Sequence, residues 1–149
     1  MPRKTPAPSR RTAAKTPRKK PESLRLAEVS PSFTVKDLQR SLAWYRDVVG
    51  FQVGDTWEHE GKLVGAEVKA GTVYFILNQD DLSKGSDRTF GVGFRLYLRT
   101  RQDLDQIAAG IKARGGQLAS EPTDRPWGTR DFSIVDPDGY RFSITTIPK

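Results

Sequence analysis

Residues Pro126–Ile144 read PWGTRDFSIVDPDGYRFSI, and the rest of the chain is best read outward from them. Asp136-Pro137-Asp138-Gly139 puts proline where a turn needs φ near about −65° and ends on glycine, which tolerates positive φ, so the chain reverses there. On the flanks Phe132, Ile134, Phe142 and Ile144 share one face. Asp131, Ser133, Arg141, Ser143 and Thr145 share the other. The expectation is a β-hairpin with one face on a core and the other toward something polar.

The 149 residues, 36% of them hydrophobic, suffice for one domain with a modest core. The sequence has no cysteine, which removes disulfides, thiolate metal sites and cysteine nucleophiles and fits a cytoplasmic setting. No apolar run reaches the roughly 20 residues that span a bilayer, and the basic N-terminus is not followed by an apolar stretch of the kind that exports a protein. The net charge of +7 is unevenly spread. Residues 1–21 hold eight Lys and Arg and no acid, leaving 17 basic against 18 acidic residues in the remainder. Residues 1–23 therefore read as a disordered Pro/Ala/Lys/Arg tail. Its roles stay open between a solubilising extension, weak non-specific nucleic acid contact and a transit peptide.

The folded part, residues 24–149, shows an internal repeat. Leu26, Val29, Phe33 and Val35 suggest a first strand beginning near Leu24 and interrupted by Pro31. Leu38, Leu42, Tyr45 and Val49 then fall at i, i+4, i+7 and i+11, a helical stripe capped by Asp37 and stopped by Gly50. Strands are expected over Phe51–His59, Leu63–Lys69 and Thr72–Asn78. Gln79–Gly91 reads as a linker between the halves. Val92, Phe94, Leu96 and Leu98 alternate as a strand, Thr100 with Asp103 resembles a capping box, and Leu104, Ile107, Ala108 and Ile111 stripe a second helix ending at Gly115-Gly116. Asp37 to Gly50 and Asp103 to Gly116 are both thirteen apart. The chain thus reads as α+β: two βαβββ modules, about 24–79 and 90–149, with the hairpin closing the second.

Chemical signals are sparse. Gly91-Val92-Gly93 opens a strand and lacks the third glycine of a dinucleotide site, no Walker-type Gly-Lys-Ser/Thr occurs, and no Gly-x-Ser-x-Gly elbow presents a nucleophile. The single histidine, His59, sits with Glu58 and Glu60 near an expected hairpin tip. With Glu67 it forms the weak metal candidates. Alternation places Ser30, Ser32, Thr34, Tyr74, Arg95, Tyr97, Arg141, Ser143 and Thr145 on inward polar faces, a wall of fixed hydrogen-bonding groups suited to binding. Trp57 and Trp127 add flat indoles for stacking a planar or cationic ligand.

SLAWYRDVVGF (Ser41–Phe51) and DPDGYRFSI (Asp136–Ile144) resemble the vicinal oxygen chelate superfamily, which contains glyoxalases, ring-cleaving dioxygenases and bleomycin resistance proteins. The likeness runs over about Leu26–Ile147. It implies two βαβββ modules in a curved, partly closed sheet around a cavity, and in many members a homodimer. The enzymes of that superfamily hold a divalent metal with His and Glu ligands. Carried over by position, those ligands fall on Ser30, on Gly91 or Gly93, and on Ser143, none of which is a useful ligand. The Pro126-Trp127-Gly128 loop resembles the bleomycin resistance proteins, whose corresponding tryptophan contributes to the drug groove. The resemblance therefore implies a small-molecule binding protein, more binder than enzyme, with no cofactor expected and a bleomycin-like antibiotic as ligand. The alternative it leaves open is a metal-dependent lyase, dioxygenase or isomerase.

Overall fold

The structure, a computed structural model, describes residues 24–148. The basic tail read from residues 1–23, with its expected disorder and polyanion contacts, lies outside the described residues. Two four-stranded sheets are present. The first has strand order β1-β4-β3-β2, with β1 Ser32–Val35, β2 Gln52–His59, β3 Lys62–Ala70 and β4 Val73–Gln79. The second has order β5-β8-β7-β6, with β5 Arg95–Thr100, β6 Ser120–Asp124, β7 Arg130–Val135 and β8 Arg141–Thr146. In each, the first strand of the module lies parallel to the last and the other pairs are antiparallel. Each sheet carries one helical segment between its first and second strands, α1 (Leu38–Ala43) or α2 (Leu104–Ala113). This is the βαβββ repeat anticipated from the sequence, and the class is α+β.

Local chemistry explains the boundaries. Asp37 caps α1 through its side chain, which accepts from the Arg40 N–H at 3.1 Å. The helical path then widens into a π-helical extension, Trp44–Val49, and stops at Gly50 (φ 103°). Leu38, Leu42, Tyr45 and Val49 are all buried, as their stripe requires. In the second module the cap is Asp103, which accepts from the Gln106 N–H at 3.1 Å. Thr100, expected as the capping residue, instead holds the Gln102 N–H. The first strand is shorter than expected. Residues 24–31 have no regular structure, and Leu24, Leu26 and Val29 are exposed, because Pro31 has no N–H to give and ladder pairing with β4 begins only at Ser32. Likewise β5 starts at Arg95, after Gly91 and Gly93 have taken positive φ. The strand β6 went unread in the sequence. Ser-Glu-Pro-Thr-Asp has no apolar alternation, and Pro122 is tolerated only because β6 is an edge.

The core is shared between the modules. Phe33 and Phe75 of the first sheet meet Phe142 of the second, the Phe75 and Phe142 rings stacked at 5.4 Å, and Tyr45 and Phe51 close the cluster. Phe132, Ile134, Phe142 and Ile144, the apolar face of the hairpin, are all buried. Both sheets therefore turn their apolar faces to a common interior and their polar faces outward.

The DPDG turn joins the modules as well as reversing the chain. Asp136 is buried, accepts the backbone N–H groups of Asp138 (2.9 Å) and Tyr140 (2.8 Å), and accepts the Tyr45 hydroxyl at 3.0 Å. Asp138 turns toward α1, where it accepts from Ser41 Oγ and lies 3.6 Å from Arg40. Tyr140 donates its hydroxyl to the Thr34 carbonyl.

Candidate functional site

The two outward polar faces carry most of the residues singled out in the sequence. On the first sheet, Gly65, Glu67 and Lys69 of β3 pair with Asn78, Ile76 and Tyr74 of β4, and Trp57 of β2 pairs with Gly65. Trp57 lies flat because Gly65 has no side chain: a Cβ there would stand 2.9 Å from the indole. Tyr74 shares a hydrogen bond with Ser30, and Asn78 donates to Ser32 at 2.7 Å. Glu67 is paired with Lys69 at 3.1 Å and accepts the Asp55 N–H at 3.3 Å. The lysine and that N–H hold its carboxyl below the ordinary range despite partial desolvation.

Replacing Gly65 with Ala is expected to push Trp57 off the sheet. Its fluorescence emission should shift to longer wavelength while the cooperative unfolding midpoint changes little. An unchanged spectrum would show that the indole does not lie on that backbone.

The second sheet presents a trough. In one row Tyr97, Ser143 and Ser133 lie side by side across β5, β8 and β7, followed by Ser120 of β6. Ser143 is buried, with its hydroxyl 3.1 Å from that of Ser133, and the Ser133 N–H donates to Ser120 at 3.0 Å. Ser143 thus belongs to the floor of small hydroxyls and not to its rim. The next row is Arg95, Arg141 and Val135. In the row beyond Ser143, Asp131 receives a bidentate fork from Arg125 at 2.7–3.0 Å, which fixes that arginine beside the trough. Trp127 stands in the Arg125–Gly128 turn between β6 and β7. It is 70% exposed, and the other two rings of interest, Trp57 and Tyr97, are 43% and 57% exposed. Arg95, Tyr97 and Arg141 border an open groove of about 610 Å³ with Gly91, Gly93, Phe94, Val135 and Gly139.

A larger cleft of about 970 Å³ lies between the modules, at residues that carry no motif in the sequence. Its arginines include Arg46, paired with Asp47 at 2.8 Å, and Arg114, which donates to the Val48 and Val49 carbonyls that end the π-helical extension. None of the residues expected to bind ligand lines it.

The positions that would hold a divalent metal do not fit one. Ser30 is engaged with Tyr74 and Ser143 with Ser133. Gly91 is pressed on the hairpin turn, where a Cβ would stand 2.2 Å from the Gly139 carbonyl oxygen, and Gly93 has no side chain to offer. His59 and Glu67 are not brought together. His59 sits exposed at the β2–β3 tip beside Glu60, and Glu67 lies five residues beyond Lys62 along β3, roughly 16 Å away. Among the described residues no three His, Asp or Glu side chains converge as ligands. Among the same residues no helix is long and apolar enough to cross a membrane.

The family model of the Glyoxalase/Bleomycin resistance protein/Dioxygenase superfamily matches residues 25–144. The chain belongs to this superfamily. Within it, the chain is 28% identical over 116 residues to a lactoylglutathione lyase of Arabidopsis thaliana, covering 75% of this chain and 41% of the relative, so it spans about two-fifths of that protein's length. Among solved structures, TioX from Micromonospora sp. ML1 superposes with a TM-score of 0.64 at 17% identity, covering 83% of this chain and 98% of TioX. TnmS3, an antibiotic binding protein from Streptomyces sp. CB03234, superposes with a TM-score of 0.61 at 23% identity, covering 85% of this chain and all of TnmS3. These two superpositions speak to the fold. Superfamily membership accounts for the paired βαβββ modules.

Proposed function

We propose that the protein is a small-molecule binding protein that sequesters a planar compound, of the bleomycin-like antibiotic kind, without a metal. The observation that carries this reading is the set of three half-exposed to exposed rings, Trp57 and Tyr97 on the polar sheet faces and Trp127 in the turn beside the second. Arg95 and Arg141 complete the binding groups beside Ser143 on the second sheet, and Tyr74 those on the first. Sequestration needs affinity alone, so serine and glycine at the metal positions are no defect. The antibiotic-binding neighbour TnmS3 supports the same reading by its fold.

The binding species in this proposal is a homodimer in the cytoplasm. Within one chain each polar face is covered from one side only, because the two apolar faces meet in a common core. A second copy can bring the Trp57 face of one chain over the Tyr97 face of the other. The exposed Leu24, Leu26 and Val29 just before β1 give that copy apolar surface to cover.

The test is tryptophan quenching and thermal shift against a panel of planar antibiotics and polycyclic aromatics, with and without chelator. Saturable quenching that survives chelator is expected, weakened about tenfold or more by Trp127→Ala and by Trp57→Ala. Purified protein should carry well under one metal per chain and gain no thermal stability from nickel, zinc, iron or manganese. Stoichiometric metal, with turnover abolished by chelator, would overturn the proposal in favour of the lyase chemistry of the curated relatives.

A further inference from the structure

The charge on the second sheet's polar face narrows the class of ligand. Arg95 and Arg141 are direct cross-strand partners in the parallel β5–β8 ladder, so their backbones lie about 4.8 Å apart on the same face. Like charges placed directly opposite in a sheet repel. A carboxylate beside such a pair would offset that repulsion. Among the described residues neither arginine has an ion pair or a side-chain hydrogen bond, as is also true of Arg25, Arg99 and Arg101, whereas Arg40, Arg46, Arg88, Arg125 and Arg130 all have carboxylate partners. Arg95 and Arg141 are set apart by standing directly opposite each other. The nearest acids are directed elsewhere. Asp136 and Asp138, on the turn that borders the groove through Gly139, face Tyr45, Ser41 and Arg40 on the opposite side. Among the described residues no carboxylate lines the 610 Å³ groove. The pair cannot be put down to overall composition, since the chain after residue 21 carries 17 basic and 18 acidic residues.

We infer that Arg95 and Arg141 form an oxyanion clamp, and that the compound bound in the groove is a planar molecule bearing a carboxylate or phosphate. Both arginines line one opening, and guanidinium groups suit bidentate recognition of such oxyanions. Tyr97, two residues from Arg95 on the same face, supplies a ring beside the clamp, and the Ser143–Ser133 floor leaves room for a flat body. This rests on the reading of that face as a ligand wall. On this inference an anionic planar ligand is favoured over the cationic one that the indoles alone would also accept, since a cation would meet the two arginines there.

The experiment compares affinity for 2-naphthoate, 2-naphthyl phosphate, 2-naphthamide and 2-naphthylmethylammonium by calorimetry at low and moderate salt. Each is measured on the full chain and on Arg95→Gln, Arg141→Gln and, as a charge control, Lys62→Gln at the distant β2–β3 tip. At least one of the two anions should bind about tenfold to a hundredfold more tightly than the amide, and the ammonium more weakly than either. The ratio of the two anions tells carboxylate from phosphate. In either arginine variant the anion preference should fall below about threefold because anion affinity drops far more than amide affinity, while Lys62→Gln keeps the preference. Equal binding of anion and amide, or preference for the ammonium, would overturn the clamp and leave the planar-ligand proposal standing. Failure of all four probes, extended to one-ring and three-ring analogues, would remove both.

Discussion

Replacing Phe142 with Ala is expected to lower the stability of the whole chain by about 3–5 kcal/mol. The ring belongs to β8 of the second module, yet its neighbours are Phe33 and Phe75 of the first sheet and Tyr45 of the π-helical extension, at centroid distances of 5.9, 5.4 and 6.1 Å. Removing it deletes buried apolar surface and opens a cavity where the two modules meet, with no backbone nearby free to collapse into it. Urea unfolding should remain a single transition with an earlier midpoint. The slope should be unchanged, since both modules lose structure together. A loss below about 1 kcal/mol, or two separate transitions in the unsubstituted protein, would mean that the modules do not share a core.

Asp136→Ala is expected to cost about 3–4 kcal/mol, through hydrogen bonds and not through packing. It strands the buried Tyr45 hydroxyl and the part-buried N–H groups of Asp138 and Tyr140, with a buried donor worth about 1–3 kcal/mol when left without a partner and a part-buried one less. Asp136→Asn keeps one acceptor oxygen and should cost about half as much. The pair also carries a pH signature. Burial and the adjacent Asp136 raise the Tyr45 hydroxyl well above tyrosine's ordinary value of about 10. In the unfolded chain it ionises near that ordinary value. Its contribution is therefore fully present below about pH 10 and is lost as pH climbs from there toward the raised folded value. Tyr45→Phe should flatten part of the alkaline fall in melting temperature. Tyr140, raised chiefly by burial, contributes the remainder with the same sign. Asp136 is itself raised, because burial outweighs the hydrogen bonds it accepts. Its contribution is present below the ordinary carboxylate range and is lost as pH rises through the folded value, so Asp136→Asn should reduce the pH dependence on that side. Identical alkaline profiles for Tyr45→Phe and the parent would contradict the buried pairing.

The parts of the fold legible in the sequence were those written in strong local signals. Asp37 and Gly50 bracket the first helix by capping chemistry, and the alternation of Phe132, Ile134, Phe142 and Ile144 gives the buried face of the hairpin. Alternation also placed Tyr74, Arg95, Tyr97 and Arg141 on polar faces. What was not legible depended on partners distant in sequence. The strand β6 has no pattern of its own and exists because β7 offers it an edge. Leu24, Leu26 and Val29 look like a buried strand until pairing with β4 is seen to begin only after Pro31. Position in the sequence marks Ser143 as a binding residue, but only the register with Ser133 shows that it forms the floor. Asp136 reads in the sequence as a turn residue. Its bond to Tyr45, ninety-one positions earlier, makes it a link between modules. Gly65 gave no signal at all, since its value lies in the indole that rests on it.

The central claim is metal-free binding of a planar ligand on the polar sheet faces. It is tested most directly by titrating the metal-stripped chain with a planar antibiotic panel in chelator while following tryptophan emission. The account predicts saturable quenching with at least one compound, lost or weakened about tenfold in Trp127→Ala. Absence of quenching across the panel that returns only when divalent metal is restored would contradict it.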